Sequence, residues 1–501
     1  MELRVERIDG DRDAELAFER LCGEREDAFW LDSSRVGEGA RFSFLGAPGP
    51  LGARISYDLA AGAVTVLRGG REEIRRESIF DYLGAELERL RLPAGELPFG
   101  FECGFVGYFG YELKAETGGE AAHRPAQPDA CFLFVDRLVA LDHEDGRTYL
   151  LCLTAPGDGG EAERWLRRTR ALLEGLPASR GEPERRRSEG EPVEFHLARS
   201  RERYLEDVEA CRRALHEGES YEVCLTNRIR AAAAPAPLPL YRALRRVNPA
   251  PYAALLRLGP ELAVLSSSPE RFLRIGADGG VEAKPIKGTS RRDRDPAEDA
   301  RLAAELRADP KNRAENLMIV DLLRNDLGRV CAIGSVEAPR LMEVESFETV
   351  HQLVSTVRGR LRDGVGPLEC VRACFPPGSM TGAPKERTMA ILDRLEGEAR
   401  GVYSGAIGYL GLGGECDLSV AIRAIVLDGG GNAEIGIGGA IVIGSEAEAE
   451  FEETLLKGWA PMRALDPSLP PGYSRIRLSA SSPRVTPRKS TTSAAAPTSA
   501  P

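Results

Sequence analysis

Pro285-Ile286-Lys287-Gly288-Thr289 stands at the centre of the stretch 266–326, and it reads two ways. Residues 281–287 form a short β-type run that stops at a Gly-Thr turn, followed by the solvated cluster Arg291, Arg292, Asp293 and Arg294. By residue type alone, a lysine at a strand end before a glycine is a surface charge. Its neighbours point the other way. Upstream, Ser266-Ser267-Ser268-Pro269-Glu270-Arg271-Phe272 places the carboxylate of Glu270 at the end of the apolar strand 262–265. Downstream, Asp295, Pro296 and Glu298 read as N-cap, N1 and N3 of one helix, and Asp309-Pro310 starts a second. At helical spacing Glu315 shares a face with Ile319 and Leu322, so its carboxylate points at the core. Burying a carboxylate alone costs several kcal/mol. An internal ion pair with Arg313 or Arg324 meets that cost, and so does a metal.

The whole chain sets the frame. Its 501 residues allow two or three domains and a large core. With 42% hydrophobic and 29% charged residues, it has the composition of a soluble globular enzyme. The formal net charge of −11 argues against a nucleic-acid partner. No apolar run reaches the length of a membrane span, and Met1-Glu2-Leu3-Arg4 lacks the apolar core of a signal peptide. The ten cysteines form no Cys-x-x-Cys pair and lie near no histidine cluster, a reduced pattern that predicts a cytoplasmic protein.

Residues 1–176 read as a first domain of mixed α and β structure, with strands at 29–31, 41–45, 54–57, 63–68, 131–138 and 148–153. Helices are predicted at 78–92 and 161–176, and the glycine-rich run 99–112 reads as a strand packed tightly on a neighbour. Residues 177–192 are charged and Pro/Gly-rich, the composition of a linker. The second domain, 193–465, opens with helix 203–216 and strand 221–226. Its loop 376–385 feeds a helix at 384–395, and strands follow at 401–414 and 417–427. Arg423, alone in an apolar strand, needs an anion. Ser445 and Glu448 read as a capping box for the last helix, on which Glu450 and Glu453 are by pattern solvated acids. From 466 to 501 the Pro- and Ser-rich chain reads as a disordered tail.

Three motifs taken together, Pro285–Thr289, ENLMIVDLLRNDLGR at 315–329 and FPPGSMTGAPK at 375–385, resemble the chorismate-utilising enzymes. The similarity is ordered from about 203 to 458 and weaker before that. It implies an α+β fold of large antiparallel sheets with helices packed outside. The family includes anthranilate synthase component I, isochorismate and salicylate synthases, and 4-amino-4-deoxychorismate synthase component I. A lysine within the PIKGT element resembles the last of these branches, where the others usually carry alanine.

The resemblance implies roles for particular residues. Lys287 would be the nucleophile and Glu270 the acid, with Gly288, Thr289, Tyr403, Arg423, Gly438, Gly439 and Lys385 on the substrate. Glu315, Glu453 and Glu450 would hold Mg²⁺, and Ser33, Pro251, Tyr252 and Ala253 would line a tryptophan pocket. A lysine must be neutral to attack, so its pKa is expected to fall through desolvation and nearby cations. The implied reaction joins chorismate and ammonia into 4-amino-4-deoxychorismate, on the way to p-aminobenzoate and folate. The ammonia would come from a separate glutamine amidotransferase subunit in a heterodimer. The competing readings are anthranilate synthase component I and a non-catalytic, tryptophan-sensing subunit. Two positions depart from the pattern. Glu222 stands where isochorismate and salicylate synthases place a basic lysine, which leaves hydroxylation at C2 unsupported. Gln352 stands where the family usually has histidine, and His351, one residue early on a strand, would face the other way.

Overall fold

Adjacent residues of one strand already reveal the layers. In Asp27–Asp32, Phe29 belongs to one apolar cluster and Trp30 to another. The same division separates Leu256 from Leu255 and Val264 from Leu265, as the period of two in a strand requires when both faces are covered. The computed structural model describes every residue except 11, 35–39, 94, 96, 156, 158, 177–192, 233, 347–349, 471–477 and 480–501. Its strands form two large sheets, of thirteen and twelve strands among the described residues. The pairings are antiparallel save that of Phe195–Leu197 with Leu478–Ser479. One face of the thirteen-stranded sheet packs towards the other sheet through Phe29, Leu256 and Val264 with Val106, Phe132 and Leu418. Its opposite face is covered by Ala14–Cys22, Arg201–His216, Pro237–Val247 and Ala447–Leu465. This is the expected α+β architecture of antiparallel sheets with helices outside.

The boundary expected at 177–192 is not a boundary between sheets. Tyr252–Leu258 pairs with Asp27–Asp32 in one sheet, and Ala406–Gly411 with Gly104–Phe109 in the other. Gly107 and Gly408 face each other there, and a Cβ on either would lie 2.1 or 2.0 Å from a neighbouring carbonyl oxygen. The glycines of 99–112 thus serve the close strand packing expected of them. The linker itself lies outside the described residues, as does most of the tail. Within the tail, Asp466 is buried and accepts from the Val193 amide, Pro470 accepts from the Trp459 indole, and Ser479 joins a strand. The predicted disorder from 466 is therefore corrected for 466–470 and 478–479.

The feature that positions the site is a seam between the sheets. Leu262–Ser268 pairs with Ala424–Asp428 in the larger sheet, and their continuations, Arg271–Ile275 and Cys416–Val420, pair in the smaller one. The ribbon crosses between sheets at Pro269-Glu270 and Ala421-Ile422-Arg423. Hydrogen bonds hold the crossing, from the Val420 amide to the Glu270 carbonyl (3.0 Å) and from the Ser267 amide to the Arg423 carbonyl (3.2 Å). Residues 417–427 are thus two strands rather than one, and Arg423, at φ +52°, is the joint between them.

Candidate active site

Lys287 reaches the seam because its strand does not stop at Gly288. Ile286–Arg291 runs on beside Val350–Arg360 with a register shift between Ile286 and Thr289, a bulge rather than the expected turn. Gly288 sits in it at φ +83°, where a Cβ would lie 2.7 Å from the Asn312 side chain. The lysine is buried, and its Nζ donates to Glu222 Oε1 at 2.6 Å. Glu222 opens the strand Glu222–Ala231 of the other sheet, so the pair closes across the seam. It is fully buried, and its Oε2 has no hydrogen-bond partner among the described residues.

This pairing overturns the expected fall in the lysine pKa. Burial pushes the ammonium down, but Glu222, then Glu315 and Cys224, outweigh it and hold the group above the ordinary lysine range. Glu270 is buried nearby and pushed up to about 7 by that burial. The Ser379 hydroxyl and the charges of Lys287 and Lys457 draw it down, while Glu222 raises it. A carboxyl poised there is a competent proton donor near neutrality.

The helix Pro310–Gly328 delivers Glu315. Asp295 and Asp309 both serve as N-caps, accepting from the Ala297 and Asn312 amides, but Glu298 at N3 turns to Arg301 while the Asp295 amide bonds Asp293, so the expected reciprocal capping box does not close. Glu315 is buried, pushed up to about 7 by burial, and its Oε1 has no hydrogen-bond partner among the described residues. Neither expected partner reaches it: Arg313 bonds the Arg307 carbonyl, and Arg324 lies 3.7 Å from Asp321. Lys311, one turn earlier, lies 3.9 Å away instead and donates to Glu450 at 2.7 Å.

The last helix starts later than its apparent capping box. Ser445 Oγ accepts from the Val442 amide, Glu446 is the N-cap without a side-chain bond, and Glu448 pairs with Arg201. Glu450 is buried, with Oε2 lacking a partner among the described residues, so it is not a solvated acid. Glu453 pairs with Lys457 at 2.7 Å, and Lys457 also donates to the Gly438 carbonyl at 3.1 Å. Gly439 looks onto these groups: a Cβ there would lie 3.5 Å from Glu450 Oε2 and 3.9 Å from Glu453 Oε1. Gly438 faces the other way, towards the Leu225 carbonyl.

Among the described residues, no three histidine, cysteine or acidic side chains are gathered into a ready metal cage. The donors nevertheless suit a hard divalent cation, since Glu315 Oε1 and Glu450 Oε2 are buried carboxylate oxygens without hydrogen-bond partners. Arg423 complements them. Burial draws its guanidinium down, Tyr403 and Glu453 raise it, and it has no ion-pair partner among the described residues. An anion is what it lacks.

Other expected site residues take different places. Lys385 donates to Asp326 (2.6 Å), to the Cys374 carbonyl (2.6 Å) and to the Pro376 carbonyl (3.0 Å). All three of its N–H donors are engaged in holding the loop that carries Ser379, so a substrate contact is not its task. Thr289 is exposed, opposite Gln352. Arg292 is not simply solvated, since it forks onto Asp299 at 2.8 Å. His351 bonds that same Asp299 (3.0 Å) and Ser346 (2.8 Å), away from Lys287. Ser33, Pro251, Tyr252 and Ala253 do come together, lining a cavity of about 320 Å³ in which Arg271 covers the Tyr252 ring at 4.9 Å.

Sequence reasoning missed Lys311, Lys457, Ser379 and the pairing role of Glu222. Two of these had a visible signal, because Lys311–Glu315 and Glu453–Lys457 are both spaced i, i+4.

Residues 52–463 match the family described as chorismate binding enzyme. A Streptomyces pristinaespiralis protein named aminodeoxychorismate synthase is 54% identical over 90% of this chain and 64% of its own length. One of the same name from Streptomyces griseus is 50% identical, over 91% and 63%. The chain thus spans somewhat under two thirds of these relatives. Anthranilate synthase component 1 of Streptomyces coelicolor is 38% identical over 92% of this chain and 88% of its own. Among solved structures, anthranilate synthase component I from Streptococcus pneumoniae superimposes with a TM-score of 0.71 at 29% identity, covering 89% of this chain and 96% of that one.

Proposed function

Because the chain belongs to the chorismate binding enzyme family, we propose that it converts chorismate and ammonia to 4-amino-4-deoxychorismate. The observation that carries this reading is the buried Lys287 amine, set at the seam beside a carboxyl, Glu270, whose pKa lies near 7. Chorismate is a dianionic cyclohexadiene with an allylic hydroxyl at C4. Arg423 supplies the missing counter-charge for one carboxylate. Neutral Lys287 attacks C2, the two ring double bonds shift towards C4, and the C4–O bond breaks as Glu270 protonates the departing hydroxyl. Ammonia then adds at C4, the double bonds return, and the lysine is expelled from C2. The ammonium formed at C4 returns its proton to Glu270. The enolpyruvyl ether is untouched.

Glu315, Glu450 and Glu453 would hold a Mg²⁺, whose charge would orient and neutralise the ring carboxylate. The ammonia is proposed to come from a glutamine amidotransferase subunit, and the product to feed p-aminobenzoate and folate synthesis. The cavity between Ser33 and Tyr252 is proposed to take an amino acid such as tryptophan. All ten cysteines are free, which supports work in a reducing compartment.

Product analysis tests the reading. The protein, given chorismate, Mg²⁺ and an ammonium salt, should release 4-amino-4-deoxychorismate. Anthranilate with pyruvate would replace this reading by the C2-aminating one, and no turnover would leave a sensing subunit.

A further inference from the structure

The mechanism requires a neutral lysine, and the fold presents a buried ammonium locked to Glu222. We propose that Glu222 is the proton acceptor that frees Lys287 for attack and returns the proton when the lysine leaves. This rests on the lysine-attack reading above.

The geometry carries the proposal in three ways. The two groups are already at 2.6 Å, so transfer needs no rearrangement. Glu222 is fully buried, and among the described residues Lys287 is the one hydrogen-bond donor to its carboxylate, Oε2 having none. Moving the proton from nitrogen to oxygen also turns two buried charges into none while leaving the net charge of the pair unchanged.

The step balances. The ammonium of Lys287 gives one proton to Glu222, leaving an amine and a carboxylic acid. The amine lone pair forms the N–C2 bond. When ammonia expels the lysine from C2, the amine recovers its proton from Glu222, and the pair is restored. No oxidant or further reactant takes part.

Adduct formation without ammonia isolates this step. Wild-type protein is mixed with chorismate and Mg²⁺, quenched, and followed by intact-protein mass spectrometry across pH 5.5–9. A pair that keeps its proton internally contributes no rising limb, so the wild type should show only the decline caused by Glu270 losing its proton above about 7. In Glu222→Gln the proton must leave for solvent. The profile should become bell-shaped, with adduct formation at pH 6 about 100-fold slower. Glu270, Glu315, Cys224 and Lys457, which face this neighbourhood, are common to both proteins. Glu222→Asp, which keeps a carboxylate, should retain the wild-type profile at reduced rate. A Gln variant as fast as wild type at pH 6 with the same profile overturns the proposal alone. Absence of any adduct in the wild type removes the lysine-attack reading, and this proposal with it.

Discussion

Two buried charge clusters share the strand Glu222–Ala231, and they are built to opposite rules. Around Thr226 the cluster is saturated. Arg400 donates to both oxygens of Glu396 (2.8 and 2.7 Å) and to the carbonyls of Met380 (2.6 Å) and Cys224 (2.9 Å). Glu396 accepts further from the Thr226 amide and hydroxyl. Around Glu222, four residues earlier on the same face, the donors and acceptors do not close. Glu222, Glu315 and Glu450 each keep a buried oxygen without a hydrogen-bond partner among the described residues. The carboxyl pKa values record the contrast. Burial raises Glu396, but Arg400 and Thr226 outweigh it and hold it below the usual carboxylate range, whereas Glu270 and Glu315 rise to about 7. A saturated cluster holds a fold together, and an unsaturated one keeps valence in reserve for a ligand.

The sharpest way to break this contrast is Lys287→Ala. It should lower aminodeoxychorismate formation on the order of 10⁴-fold by removing the covalent route to C4. The residual reaction should drift towards C2 amination, since alanine opens that face to ammonia. Near wild-type product formation would return Lys287 to the status of a buried counter-ion. In the other cluster, Arg400→Met should act on stability. Stranding Glu396 without its partner should cost about 3–5 kcal/mol, read as a lower denaturant midpoint. Equal destabilisation by Glu315→Gln would erase the distinction, because that change removes a carboxylate whose Oε1 is already unpaired.

A smaller effect separates the clusters by pH. Between 4.5 and about 7, folded Glu270 keeps a proton that the unfolded chain has lost, so its contribution weakens stability as pH rises through that window. The size is about 3 kcal/mol for the group alone. Glu396 works in the opposite sense: its lowered pKa lends stability above the unfolded value and loses it in acid. Glu270→Gln should therefore flatten the fall in denaturant midpoint from pH 5 to 7.5, whereas Glu396→Gln should not.

The general fold was more legible than the site. Alternation marks strands such as Ala53–Asp58 directly, and Asp-Pro pairs marked both helix starts before Lys287's neighbours were placed. The strand Glu2–Asp9 went unread because its composition is that of an exposed edge, with one fully buried residue in eight. The seam left no signal, since an apolar β run looks the same whether it stays in one sheet or crosses to another. Arg423 adopts its left-handed φ without the glycine that would announce it. The capping box at Ser445 matched by pattern, yet the hydroxyl closes the preceding loop instead. Lys287 and Glu222, 65 residues apart, meet only once both sheets exist.

The finest division between scaffold and site runs within one strand, Ala433–Ile441, and two alanine substitutions should expose it. A Cβ at Gly436 would lie 2.0 Å from the buried Tyr403 ring, a clash that a rigid aromatic ring cannot relieve. Gly436→Ala should cost about 1–3 kcal/mol of stability, as overpacking does. At Gly439 the same methyl meets nothing closer than 3.5 Å, which is ordinary contact, and its nearest neighbours are Glu450, Lys457 and Glu453. Gly439→Ala should leave stability within about 0.5 kcal/mol of the parent. It should instead raise the KM for chorismate by about tenfold, or about 1.4 kcal/mol, because the methyl occupies space in front of the acidic cluster. Denaturant midpoints and steady-state kinetics on the two variants give both readouts. If Gly439→Ala is as unstable as Gly436→Ala, or binds chorismate unchanged, Gly439 belongs to the scaffold and the open side of the acidic cluster lies elsewhere.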